Sequence, residues 1–196
     1  LQEVYVSESF LEKCSCREHL EEVGYEVVSD SVFSKISDTC TPQGVLCVLK
    51  QFHYNIEEML RDKAPLFLLL ENIQDPGNLG TMLRTGEGAG VSGIIMSRDT
   101  VDLYNPKVIR STMGSIYRVP FYYADDFAAA VHQVQRAGVS VYAAHLRGKN
   151  SYACQDYTKG TAFLIGNEGN GLREETAELA DCYIRIPMEG KVESLN

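Results

Sequence analysis

The sequence predicts an α/β fold: a mostly parallel six-stranded sheet with helices on both faces, preceded by a small α/β domain. Three observations carry this. From Pro65 onward, short apolar runs alternate with segments of helical period, the pattern of strand–helix–strand units. The runs are apolar on consecutive residues, as in Leu66–Leu70, rather than on every second one, which fits strands buried on both faces. A polar stretch without hydrophobic period, 51–64, separates this region from fifty residues that carry strands and helices of their own.

Within residues 1–50, the spacing predicts a strand over 4–6, an amphipathic helix over 8–23, a strand over 25–28, a short helical piece over 32–36 and a strand over 44–49. Thr39-Cys-Thr-Pro-Gln-Gly44 is a loop, punctuated by Pro and Gly. Residues 51–64 are the expected linker, and 65–196 form the larger domain. There, strands are expected at 66–70, 93–96, 116–122, 140–144, 162–165 and 183–186, with helices at about 78–89, 106–113, 126–137 and 172–180. Sheets of this kind bind ligands at the carboxyl ends of strands, near the point where strand order reverses.

Composition narrows the class. A chain of 196 residues makes one large or two small domains, and an apolar fraction of 44% with 23% charged residues is ordinary for a soluble globular protein. No apolar run approaches the ~18 residues of a membrane span, and no export leader is visible, so a cytoplasmic protein is expected. The six cysteines, Cys14, Cys16, Cys40, Cys47, Cys154 and Cys182, form no CxxC pair and have no His at ligand spacing, which predicts free thiols and no metal. His19, His53, His132 and His145 do not cluster either. The lack of an initiator Met and the stop at Asn196 lead to the expectation that residues are missing at both ends. A net charge of -9 argues against indiscriminate binding to nucleic acid. It leaves room for a local basic site, for which Arg98, Lys107, Arg110 and Arg118 fall within one short stretch.

Three segments have the make-up of a strand end opening into a loop. In Asp75-Pro-Gly-Asn-Leu-Gly-Thr-Met-Leu-Arg84, Asn78 is the expected N-cap of the following helix, and Arg84 could reach a phosphate. Gly166-Asn-Glu-Gly-Asn-Gly171 lacks the Lys-Ser/Thr of a P-loop and the Gly spacing of a dinucleotide fingerprint, with Glu168 at its third position. A glycine-dense loop with one acid instead lets the backbone approach a ligand. In Ile186-Pro-Met-Glu-Gly-Lys-Val-Glu-Ser-Leu-Asn196, Pro187 removes a ladder donor where the strand stops, and Ser194 with Asn196 could cap a further helix.

Together these segments closely resemble the signature motifs of the SpoU (TrmH-type) family of RNA ribose 2'-O-methyltransferases, of the knotted SPOUT class. Asn105-Pro-Lys-Val-Ile-Arg-Ser-Thr-Met-Gly-Ser115 is similar to that family's second helix. The N-terminal fifty residues, with Val4-Tyr-Val-Ser7 and Ile36-Ser-Asp-Thr-Cys-Thr-Pro-Gln-Gly44, are similar to the ribosomal-protein-like substrate-binding domain often fused ahead of it.

The resemblance implies methyl transfer from S-adenosylmethionine to a ribose 2'-hydroxyl, of rRNA rather than tRNA, by a homodimer whose C-terminal part forms a deep trefoil knot. It assigns the cofactor to loops containing Leu146 and Gly148; Leu164, Gly166, Asn167 and Gly169; and Ile186, Met188, Ser194 and Leu195, largely through backbone groups. Catalysis and RNA are associated with Asn78, Arg84, Glu168, Ser194 and Asn196, and Arg84, Lys107 and Arg110 are the expected RNA contacts. A knot-closing helix is expected after Asn196. Because an Arg is effectively always protonated, Arg84 is better read as clamping the adjacent phosphate and stabilising the developing alkoxide than as a general base. Asn78 and Asn196 would orient it. Glu168 is either catalytic or structural, pairing with Arg84 or capping a helix. A non-catalytic RNA-binding protein of ribosome assembly is the alternative that stays open. A nicotinamide oxidoreductase does not fit, because Met96-Ser-Arg98 stands where the ribose-binding acid would be.

Overall fold

The computed structural model describes residues 1–15 and 17–190. Two compact units divide the chain, Leu1–Phe52 and His53–Asn196. The first contains β1 (Glu3–Ser7), α1 (Glu8–Lys13), α2 (Arg17–Val23), β2 (Glu26–Val28), α3 (Asp30–Ile36) and β3 (Val45–Val48). β1 is central, parallel to β2 and antiparallel to β3. Its Val4 and Val6 pack with Leu20 as the small core. Ser7 and Ser29 start α1 and α3 by accepting the Phe10 and Val32 N–H groups. The single helix expected over 8–23 is two helices, because the backbone turns extended at Cys14 (φ -73, ψ 122). Cys and Ser are weak helix formers, and only α2 has a buried anchor, Leu20.

The second unit opens with α4 (Ile56–Met59), inside the polar stretch expected to be a linker. Its Ile56 and Met59 are buried in the main core, so two apolar residues three apart tie down a segment whose average composition is that of a loop. Then come β4 (Leu66–Leu70), α5 (Pro76–Ala89), β5 (Gly93–Ser97), α6 (Pro106–Ser111), β6 (Phe121–Ala124), α7 (Phe127–Arg136), β7 (Ser140–Ala144), β8 (Asn150–Ser151), β9 (Thr161–Ile165), α8 (Glu174–Ala177) and β10 (Cys182–Arg185). The strands form one sheet in the order β6-β5-β4-β9-β7-β10-β8, parallel at every pairing. Successive strands step outward from β4 to β6. The chain then crosses to the other side, and β9 lies between β4 and the earlier β7. Strand order thus reverses between β4 and β9.

Register explains how both faces are buried. Phe67 and Leu69 of β4 align with Ala162 and Leu164 of β9, and these with Val141 and Ala143 of β7. All six join one cluster with Val131 and Val134 of α7 and Ala177 of α8. The alternate residues point to the opposite face, where Leu68 lies against Gly86 of α5. Fully burying a Leu or Phe contributes ~1.5–3 kcal/mol, which is why these strands read as unbroken apolar runs.

Several boundaries, and the number of strands, differ from expectation. α5 starts at Pro76, not Asn78, because Asp75 is the cap: its carboxylate accepts the Asn78 N–H at 2.7 Å and Pro76 occupies the first turn. The strand expected over 116–122 starts at Phe121, since Ser115–Tyr117 is a 3-10 turn and Pro120 lacks a ladder donor. The helix expected over 172–180 is the single turn of α8. A seventh strand, β8, is two residues long, too short to leave a period in sequence.

α5 and α6 touch at Gly80. A Cβ there would lie 1.8 Å from Ser111 Oγ and 2.9 Å from the Ser111 carbonyl carbon. Rotating the serine relieves only the first contact. Gly80→Ala is therefore expected to lower unfolding free energy by a net of about 1–2 kcal/mol in urea titrations, despite the helix propensity gained. Adding Ser111→Ala is expected not to restore it.

Candidate functional site

β4 ends in a charge. Glu71 follows Leu70 at 1% exposure, and its carboxylate accepts the Arg173 N–H at 2.8 Å and the Thr176 hydroxyl at 2.5 Å. Asn72 then turns left-handed (φ 53), a conformation Asn tolerates better than most residues. This turn points the chain toward α5.

After β9 the chain makes a tight knuckle. Asn167 and Gly171 exchange both backbone hydrogen bonds, at 3.0 and 2.8 Å, while Asn167 Oδ1 accepts the Gly169 and Asn170 N–H groups at 3.0 Å each. Gly166 sits where a Cβ would be 2.2 Å from the Gly171 carbonyl carbon and from Leu172 N, so no other residue fits. The knuckle presents Glu168 to the β4 loop. Glu168 Oε2 accepts the Gln74 N–H at 3.1 Å, and Oε1 accepts the Asp75 N–H at 3.0 Å and the Asn78 amide at 3.4 Å. Asn167 Nδ2 donates to Asn72 O at 2.8 Å. Burial alone would raise the Glu168 carboxyl, but N–H donors from its own backbone, Asp75 and Gln74, with the Asn78 amide, outweigh it and hold the group below the ordinary 4.5.

Beyond β7, Gly148 bonds back to His145 O at 2.9 Å, and the His145 N–H donates to Ile184 O at 3.1 Å. A Cβ on Gly148 would lie 2.8 Å from the Ile184 carbonyl. The turn after β7 is thus in contact with the end of β10. Leu146 and Ile186 leave them 57% and 48% exposed, with Met188 half-buried beyond. Leu164 is fully buried in the sheet, so only its backbone is available to a ligand.

The structure therefore brings Asn78, Gly166, Asn167, Glu168 and Gly169 together, and sets Leu146, Gly148, Ile186 and Met188 on the neighbouring strand ends. Ser194, Leu195 and Asn196 lie outside the described residues. Arg84 is six residues past Asn78, ~9 Å along α5 and about 120° around it, so the two do not converge on one point. Of the two structural alternatives for Glu168, the pair with Arg84 is not formed; Glu168 binds the start of α5. Arg84 is exposed, and among the described residues it makes no hydrogen bond or ion pair. Of the four basic residues expected on one surface, Arg98 pairs with Asp125 and Arg118 with Glu87, while Lys107 and Arg110 are exposed. An open cleft of about 410 Å³ lies beyond the ends of β5 and β6, lined by Ser97, Arg98, Asp99, Ala124, Asp125 and Arg173 among others.

Sequence reasoning missed Glu71, Gln74, Asp99 and Arg173. Glu71 did leave a signal: an acid directly after a fully apolar strand needs a buried partner. Among the described residues the cysteines form no disulfide, no His/Cys/Asp/Glu group could hold a metal, and no helix is long and apolar enough to cross a membrane. The implied adenosyl and methionyl ligand fits what is present. Exposed Leu146 and Ile186 offer an apolar ledge for a base, and the turns around Gly148 and Gly166 place backbone donors and acceptors alongside.

Comparison with known proteins agrees. The model of the SpoU rRNA Methylase family matches residues 65–196. The 23S rRNA (guanosine(2553)-2'-O)-methyltransferase RlmP of Bacillus subtilis is 34% identical over 170 residues, 87% of this chain and 66% of that protein. The AdoMet-bound rRNA methyltransferase from Sinorhizobium meliloti superposes with a TM-score of 0.80 at 33% identity, covering 98% of this chain and 74% of that one. The SpoU methyltransferase AviRb from Streptomyces viridochromogenes shares the fold, with a TM-score of 0.87 at 22% identity over 100% of this chain and 76% of that one. The chain spans 61–66% of the length of the curated relatives RlmP of Bacillus subtilis, a Synechocystis methyltransferase and RlmB of Neisseria meningitidis.

Because the folded-state carboxyl of Glu168 is depressed, its stabilisation is complete above the unfolded value and is lost as pH falls through the folded one. Glu168→Gln is accordingly expected to be less stable than the unaltered chain at neutral pH. In denaturant titrations the gap should close as pH drops well below 4.5.

Proposed function

The chain belongs to the SpoU rRNA Methylase family, and from that premise we propose that it transfers a methyl group from S-adenosylmethionine to the 2'-hydroxyl of a ribose in rRNA. The observation that carries this reading is the row of adjacent strand ends. The turn after β9 bonds the β4 loop, the ends of β7 and β10 follow next along the same sheet, and α5 offers an Arg84 that nothing described neutralises. Leu146, Gly148, Gly166, Asn167, Gly169, Ile186 and Met188, with the Leu164 backbone and with Ser194 and Leu195, would hold the cofactor. When bound, it supplies an electrophilic methyl on a sulfonium. β9 lying between β4 and β7 supports the deep trefoil knot of the same reading.

The remaining work falls to the chain. Arg84 clamps the phosphate next to the target ribose and stabilises the oxygen as its proton passes to solvent water; a permanently charged guanidinium suits both tasks. Asn78 and Asn196 orient the ribose. Glu168, through its bonds to Gln74, Asp75 and Asn78, fixes the entry to α5. Lys107 and Arg110 extend the basic track along α6 for RNA phosphates. The first unit serves as an RNA substrate-binding domain (1–50), joined through 51–64 to the methyltransferase domain (65–196). The reading includes a cytoplasmic protein acting on rRNA.

Because Arg84 points away from Asn78 on α5, the reading includes a homodimer in which Arg84 of one chain serves the cofactor loops of the other. Arg84→Ala is expected to abolish methylation of rRNA while calorimetric S-adenosylmethionine affinity stays within a few-fold. A large loss of cofactor binding would remove Arg84 from its RNA role. Heterodimers of Arg84→Ala with Gly148→Val, two variants each inactive alone, are expected to recover up to about half of normal activity, since one of the two sites draws both groups from intact chains. No recovery would mean that each site is built within one chain.

A further inference from the structure

Arg173 stands at the start of α8, where the knuckle after β9 ends, and its side chain is held from two directions. Nη1 lies 3.4 Å from Glu71 Oε1, and Nη2 pairs with Asp99. Its own N–H also donates to Glu71. Glu71 ends β4, Asp99 follows β5 and Arg173 follows β9, so one guanidinium joins three neighbouring strand ends. The connection continues into the loop that leads to Asn78. Asp99 O accepts Gln74 Nε2 at 2.6 Å, and Ser97 Oγ, which donates to Asp99, accepts the Asn72 N–H at 2.8 Å. Removing the cation from a buried carboxylate is costly, because the charge is left less compensated.

We propose that Arg173 is a positioning residue for the methyl transfer put forward above: held between Glu71 and Asp99, it fixes the Gly166–Leu172 knuckle against the Asn72–Asn78 loop. Arg173 touches neither cofactor nor RNA. It sets the distance between the loop that holds the methyl donor and the loop that presents the ribose. The inference rests on that functional reading. In-line transfer is sensitive to such spacing, because a misplacement of about 1 Å can cost ~100-fold in rate.

Arg173→Met keeps the aliphatic stem and the backbone bond to Glu71 while removing the guanidinium, and Arg173→Lys returns a cation. Both are made in the full chain and compared by steady-state methylation of rRNA, calorimetric S-adenosylmethionine binding and amide hydrogen exchange. For Arg173→Met, kcat should fall ~100-fold with KM for rRNA within about threefold, and exchange at the Gln74 and Asp75 amides should quicken at least ~10-fold. Arg173→Lys should recover part of each. A Met variant that melts earlier yet keeps kcat and exchange unchanged would show a purely structural Arg173 and overturn the proposal. If the unaltered chain transfers no methyl group, the functional reading fails; exchange then decides alone, and unchanged Gln74 and Asp75 amides in Arg173→Met overturn the tie.

Discussion

Two carboxylates cross between the same pair of loops in opposite directions. Glu71, at the end of β4, reaches to Arg173 and Thr176 beyond the β9 knuckle, and Glu168, on the knuckle, reaches back to Gln74, Asp75 and Asn78. The two differ physically. Glu71 is buried, with a guanidinium, an N–H and a hydroxyl turned to its carboxylate, whereas Glu168 is exposed and gathers N–H groups that would otherwise face water. One fixes the base of the loop pair and the other fixes its tip. With both ends held, the point where strand order reverses becomes a rigid platform, which is what a site built mainly from backbone groups requires.

The platform depends in turn on how closely the backbones approach. At Gly166 the chain passes itself, and at Gly148 the turn after β7 presses on β10, with no room for a Cβ at either place. These contacts, with the flat register of β9, β7 and β10, align three loop starts along one edge. The apolar Leu146 and Ile186 are left outside because the strand cores below them are already filled by Ala143, Leu164 and Ile184. A ledge of this kind follows from geometry: parallel strands of similar length end together, and whatever follows them is brought to one side.

Much of the fold was legible because burial on both faces writes an unbroken apolar run, as in Leu66–Leu70 and Gly93–Met96. Caps were harder to place. Asn78 looks like a cap by residue type, yet Asp75-Pro76 starts α5 three residues earlier, and both residues suit the start of a helix. α4 was hidden because two buried residues, Ile56 and Met59, do not make a period in a polar segment. In the site, residues marked by unusual type and spacing, such as Glu168 and the glycines, could be singled out. Their partners could not, because Glu168 binds the N–H groups of Gln74 and Asp75, and a backbone donor has no letter in the sequence. Arg173 was invisible for the converse reason: an Arg beside two glutamates reads as a solvated surface until Glu71 is known to be buried beneath it.

Charge pairing separates the arginines of this unit by role. Arg98, Arg118, Arg147 and Arg173 each have a carboxylate partner, so their charge is spent within the chain and adds little to the field outside. Arg84 has none among the described residues, although Glu87 lies three residues on along the same helix and is taken by Arg118 instead. In a protein with net charge -9, Arg84 stands as an unneutralised guanidinium on the helix that leaves the loop platform. A cation without a carboxylate partner keeps its field outside the chain, where it can steer an anion as well as hold it. The pairing of Glu87 with Arg118 is thus part of what leaves the Arg84 face of α5 charged.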